Sequence, residues 1–163
     1  MKFLRHDGER FQLEFADEER ALLLHVLSLY PLVPAAHHKL TKDKKLPRRA
    51  ENQQLLNEAL QSQREQNKKE VLALLNEPGR FVATKDGSQI GFTRAEMEWL
   101  LQVVNDVRVG SWIALGSPGY EAKKKTKLTP DAMQHTMLME LGGAFEMFFL
   151  GIMNGDVSPE PRE

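Results

Sequence analysis

The chain has 163 residues and a mass of 18.6 kDa, and its 41% hydrophobic content is enough for one packed core but excludes two large domains. Lys and Arg number 22 against 23 Asp and Glu, so the net charge of -1 gives no whole-protein attraction to nucleic acid or acidic membranes. The absence of cysteine removes disulfides, thiol switches, Cys nucleophiles and every thiolate metal site.

Residues 1–15 carry charges throughout and lack the apolar core and small-residue cleavage site of a secretory signal, so the sequence is read as cytoplasmic. Phe11, Leu13 and Phe15 recur at period two beyond an Asp7-Gly8 turn, which predicts a β-hairpin over Lys2–Phe15. Asp17 is placed as the N-cap of a helix reaching about Tyr30, striped by Leu22, Leu23, Val26 and Leu27 and stopped by Pro31 and Pro34.

A second helix is predicted over Glu51–Asn76. Leu55, Leu56, Ala59 and Leu60 begin its apolar pattern and Val71, Leu72, Leu74 and Leu75 resume it, while Gln61–Glu70 contains no apolar side chain. The middle of this helix must therefore be solvated or broken. After Pro78-Gly79, the turn Asp86-Gly87 lies between Arg80–Thr84 and Gln89–Phe92 and repeats the hairpin pattern. Lone hairpins are marginal in water, so the two are expected to join in one small antiparallel sheet.

Thr93 and Glu96 form a capping-box pair opening a helix to about Leu115. Thr129-Pro130 opens the last helix, which runs to about Asn154. Residues 155–163, with two prolines and four charges, are expected to be a flexible tail. The fold class is α+β and mostly helical, with about four main helices on a small sheet in a single domain over 1–154.

No nucleophile elbow, phosphate loop, dinucleotide fingerprint, HExxH or EF-hand is present, which leans against an enzyme and names no catalytic residue or cofactor. His6, His25, His37, His38 and His135 have no metal-ligand spacing, and His25 among leucines reads as a partly buried core residue.

Three candidate regions remain. First, Met97, Leu101, Asn105, Arg108 and Trp112 share one helical stripe, while Glu140 is the sole charge in the stripe Met133, Met137, Ala144 and Phe148. A lone buried guanidinium is very costly, so an Arg108–Glu140 pair with Asn105 beside it is expected; with Asp106 these residues are also a ligand-pocket candidate. Second, Lys39, Lys42, Lys44, Lys45, Arg48 and Arg49 stand against Asp43 alone, and Lys123, Lys124, Lys125 and Lys127 against Glu121. Such clusters can neutralise phosphates, making nucleic acid a possible partner, although no aromatic residues are interleaved for base stacking.

Third, five of the seven methionines lie between Met133 and Met153, with Phe145, Phe148, Phe149 and Gly142-Gly143 among them. Apolar residues surround this helix almost completely, so it is either a central core helix or carries a face for a partner, with Met137, Phe145, Phe148 and Phe149 as candidates and a homodimer as the specific case. Glu140, Glu146 and the adjacent glycines argue against a membrane span.

The Leu101–Val109 run Leu-Gln-Val-Val-Asn-Asp-Val-Arg-Val, followed by a loop and an apolar closing helix, resembles a DUF2017-like bacterial family of unknown function, as does, more loosely, Arg10–Leu29. The likeness covers about 70 C-terminal residues, and Asn105, Asp106 and Arg108 match that family's polar motif. It implies an α-rich cytoplasmic protein with no assigned reaction. Genes of similar proteins often neighbour that of the Clp protease adaptor, which implies regulation or proteostasis. The favoured function is accordingly a non-enzymatic regulatory or adaptor-like module acting through protein contacts.

Overall fold

The computed structural model describes residues 1–34, 37, 47–117 and 129–160. Eight elements follow in order: β1 (Lys2–His6), β2 (Arg10–Phe15), α1 (Asp17–Ser28), α2 (Arg49–Asn76), β3 (Val82–Ala83), β4 (Ser88–Thr93), α3 (Arg94–Ala114) and α4 (Pro130–Asn154). The two hairpins join through their inner strands into one antiparallel sheet of order β1-β2-β4-β3.

Period-two patterning explains the join. Phe11 pairs with Phe92 and Leu13 with Ile90, so the buried side chains of β2 and β4 fall on the same face. Helix α4 covers that face, with Phe148 edge-on to Phe15 and Phe149 edge-on to Phe92. The edge of β1 is met by the end of the chain. Of the segment read as a flexible tail, residues 155–160 are described, and Glu160 donates its backbone N–H to the Phe3 carbonyl at 2.8 Å.

Helix starts follow capping chemistry with one correction. Thr93 accepts from the Glu96 N–H while the Glu96 carboxylate accepts from the Thr93 N–H, and Thr129 accepts from Ala132. The first helix, however, is capped at Ala16 rather than Asp17. Its free N–H is satisfied by Glu19, which also meets the N-terminal ammonium of Met1. Asp17 instead lies in the first turn, where its charge suits the positive end of the helix dipole.

Helix α2 is continuous for 28 residues across its polar middle, with its N-terminal part largely solvated. Its hold on the core comes from Val71, Leu74 and the buried Asn67, whose amide donates to the Tyr30 hydroxyl at 3.2 Å. His25 is exposed on α1, because Leu23, Val26 and Leu27 take the inward positions and leave it on the opposite side.

Candidate functional site

The last two helices do lie side by side, running antiparallel, and they form the most extensive helix–helix contact of the fold. Which residues face each other differs from expectation. The buried face of α3 comprises Met97, Leu100, Val103, Val104, Val107, Gly110 and Ser111, so the stripe through Leu101, Asn105, Arg108 and Trp112 runs along its edge. On α4 the inward residues are Leu138, Gly142, Phe145, Phe149 and Ile152.

Arg108 pairs with Glu146, not with Glu140. Its Nε donates to Glu146 Oε1 at 3.2 Å and lies 3.0 Å from Oε2, and Nη2 donates to Asn105 Oδ1 at 3.3 Å. Glu140 is exposed, six residues and nearly two turns from Glu146. Because Gly142 has no side chain, α3 approaches until a Cβ there would stand 3.1 Å from Arg108 Cβ, and the arginine then extends along α4 to Glu146. The pair is also not buried: the Arg108 side chain is 42% exposed and that of Glu146 14%. Burial pushes the Glu146 carboxyl above its usual range, and Arg108 only partly offsets this.

Asp106 turns away from its neighbours in sequence. Its carboxylate accepts the backbone N–H groups of Leu32 at 2.6 Å and Val33 at 3.1 Å. Arg64 on α2 donates to the Val33 carbonyl at 2.8 Å, and Leu32 fits against Gly110, where a Cβ would come within 2.7 Å. Asp106 therefore fastens the segment after α1 to α3, a structural role. Asn105 and Arg108 thus meet beside Glu146, while Asp106 is engaged with Leu32 and Val33 and Glu140 is exposed.

An open depression of about 470 Å³ runs along α2, lined by Ala59, Ser62, Gln63, Glu65, Gln66 and Lys69. Among the described residues no group of three or more His, Asp or Glu side chains is arranged to hold a metal ion.

Lys39, Lys42, Lys44, Lys45, Lys123, Lys124, Lys125 and Lys127 lie outside the described residues, as does the Arg49 side chain. Arg48, exposed at the start of α2, pairs with Glu51 at 2.9 Å.

The partner-face candidates divide by depth. Phe145 and Phe149 are buried and stack on one another, and Phe148 is half-buried against the sheet, so these three belong to the core. Met137 is 47% exposed, and with it stand Met133 at 58%, Met147 at 77% and Leu150 at 45%. Glu140 and Ala144 are exposed between them. This outer face of α4, opposite its core-facing residues, is the candidate site. Sequence reading found Met137 and passed over Met147 and Leu150. Their signal was present, since all three occupy turns on the side away from the Phe145 and Phe149 pair.

Helix α4 is by length and composition apolar enough to cross a membrane, yet Leu138, Phe145, Phe149 and Ile152 are committed to the core. No protein-family model, curated protein or solved structure matches the chain.

Proposed function

We propose that this protein is a non-enzymatic, adaptor-like regulatory module of the cytoplasm, acting through protein contacts on the outer face of α4. One observation carries the reading: a helix anchored in the core on one side presents Met133, Met137, Met147 and Leu150 to solvent on the other. Scattered exposed apolar residues need no explanation, whereas several on one face of one helix mark a contact surface. Methionine suits such a surface because its unbranched, polarisable side chain adapts to the shape of its partner.

The test is a photo-reactive amino acid at position 147, with position 72 on α2 as control, irradiated in a cytosolic extract of the source organism. Position 147 is expected to yield an adduct of one defined mass with another protein, reduced by excess unlabelled protein, and position 72 none. Equal, diffuse labelling at both positions defeats the reading.

A further inference from the structure

Helix α2 is long and lightly held. Of its described side chains only Asn67, Val71 and Leu74 are buried, one stripe confined to the C-terminal half of a 28-residue helix, and its most extensive contact with another element is with α1. The polar bonds beside that stripe reach a single short strap, residues 30–33, which follows α1. Asn67 donates to the Tyr30 hydroxyl at 3.2 Å, and Arg64 Nη2 donates to the Val33 carbonyl at 2.8 Å.

The strap is gripped from its other side by α3. Asp106 Oδ1 accepts the N–H groups of Leu32 at 2.6 Å and Val33 at 3.1 Å, and the missing side chain of Gly110 lets Leu32 lie directly on α3. Val33 thus gives its N–H to α3 and its carbonyl to α2. Bonds from backbone N–H groups to an ionised carboxylate are about twice as strong as those between neutral groups, so the hold on the strap is firmest on the α3 side.

We infer that α2 is a hinged arm whose closed position is latched from α3, with Asp106 acting on it through the strap. The hinge lies just past the end of the helix. Glu77, Pro78 and Gly79 are exposed, and Gly79 sits at φ 72° with open space where a side chain would stand. The next residue is fixed: the Arg80 side chain is 9% exposed and its Nη2 lies 2.6 Å from Glu96 Oε1 on α3. Opening therefore swings the arm about a short exposed link, frees the Tyr30 hydroxyl and uncovers Val71 and Leu74. A unit with so few buried contacts opens at a lower free energy than the core it rests on. Once undocked, a helix this polar frays, because packing and not propensity supplies most of a helix's stability.

Hydrogen exchange of the full chain followed by mass spectrometry tests the latch, with circular dichroism to confirm that each variant is folded. Asp106→Ala is expected to speed exchange about tenfold or more in residues 64–76, while residues 88–92 of β4 and 145–152 of α4 keep the parent rates. Arg64→Ala is expected to speed the same part of α2 and to leave the Leu32 and Val33 N–H groups protected, because Asp106 still holds them. In the double variant, exchange in α2 is expected to stay within about twofold of Asp106→Ala alone, since two links in series cannot both be lost twice. Asp106→Asn keeps one acceptor oxygen and is expected to fall between the parent and Asp106→Ala. It decides by the same criteria if the alanine variant does not fold.

Unchanged exchange in α2 of the folded Asp106 variant overturns the inference. Equal acceleration in α2, β4 and α4 overturns it as well, because the substitution then loosens the whole molecule and no separate arm exists. So does a double variant whose acceleration is the product of the two single ones, since Asp106 and Arg64 then act independently and the strap passes nothing between them.

Discussion

Helices α2 and α4 both expose a long face, and the two faces have opposite chemistry. On α2 the exposed side chains are mostly polar and several close on themselves, Gln54 donating to Glu58, Gln61 to Glu65 and Gln66 to Glu70, each one turn on, while the exposed Leu55 and Leu72 stand far apart along the helix. Such i,i+4 pairs stabilise a solvated helix by about 0.2–0.5 kcal/mol each. On α4 the exposed face offers methionines and Leu150, which gain nothing from water. Exposure is the finished state of α2. For α4 it leaves apolar surface that a partner can bury.

The largest effect separates the two sides of α4. Phe149→Ala should cost about 3–5 kcal/mol, because the ring is fully buried between Phe92 and Phe145, whereas Met147→Ala should stay within about 0.5 kcal/mol. Urea unfolding of dilute protein measures both. Similar losses from the two substitutions would erase the distinction between inner and outer face.

Next comes the attachment of α2. Asn67→Ala should cost about 1–2 kcal/mol by leaving the buried Tyr30 hydroxyl without its donor, and hydrogen exchange should rise first in the C-terminal half of α2. Gln61→Ala, which removes a solvated pair, should leave both measurements nearly unchanged. If Asn67→Ala is as silent, the Tyr30 hydrogen bond does not hold α2, and its attachment rests on Val71, Leu74 and the Arg64 contact with Val33.

A smaller effect is expected at the flank between α3 and α4. Arg108→Ala should destabilise by about 1 kcal/mol, well short of the 3–5 kcal/mol of a buried pair, because its side chain is 42% exposed. Burial already raises the Glu146 carboxyl above 4.5, and losing Arg108 should raise it further, which carboxyl NMR titration can follow. A group raised in the folded state contributes stability that is complete below 4.5 and lost as pH rises through its folded midpoint. Arg108→Ala should therefore lose more stability between pH 4 and pH 7 than the parent protein. A downward move of the Glu146 midpoint would show that Arg108 does not act on it.

The smallest effect is predicted for Leu55, which α2 exposes along with Leu72. Leu55 is 64% exposed, and Leu55→Gln should change stability by less than about 0.5 kcal/mol and leave the sedimentation mass unaltered. A change in association there would place a contact surface on α2 as well.

Elements were legible in the sequence where a local rule was sufficient. The Asp-Gly turns, the alternation of Phe11, Leu13 and Phe15, and the Thr93 and Thr129 caps each involve residues a few positions apart. The helix-facing geometry was not legible at the same resolution. Residues 137 and 138 are neighbours in the chain and about 100° apart around the helix, so a small error in the choice of stripe exchanges surface for core. Glu140 was taken as the partner of Arg108 by such an error. The choice between Glu140 and Glu146 depends on how closely α3 and α4 approach, and Gly142 sets that approach.

By itself the amino-acid sequence determined two hairpins and four helices, the closing one apolar, because periodicity, turns and caps act over short stretches of chain. Only the tertiary structure decided which side of α4 is occupied by the sheet and α3, and hence which methionines remain outside. An apolar side chain carries no mark of whether its own chain or another will cover it. That depends on how much area the rest of the fold can bring to it, and here the sheet and α3 cover one side of the helix.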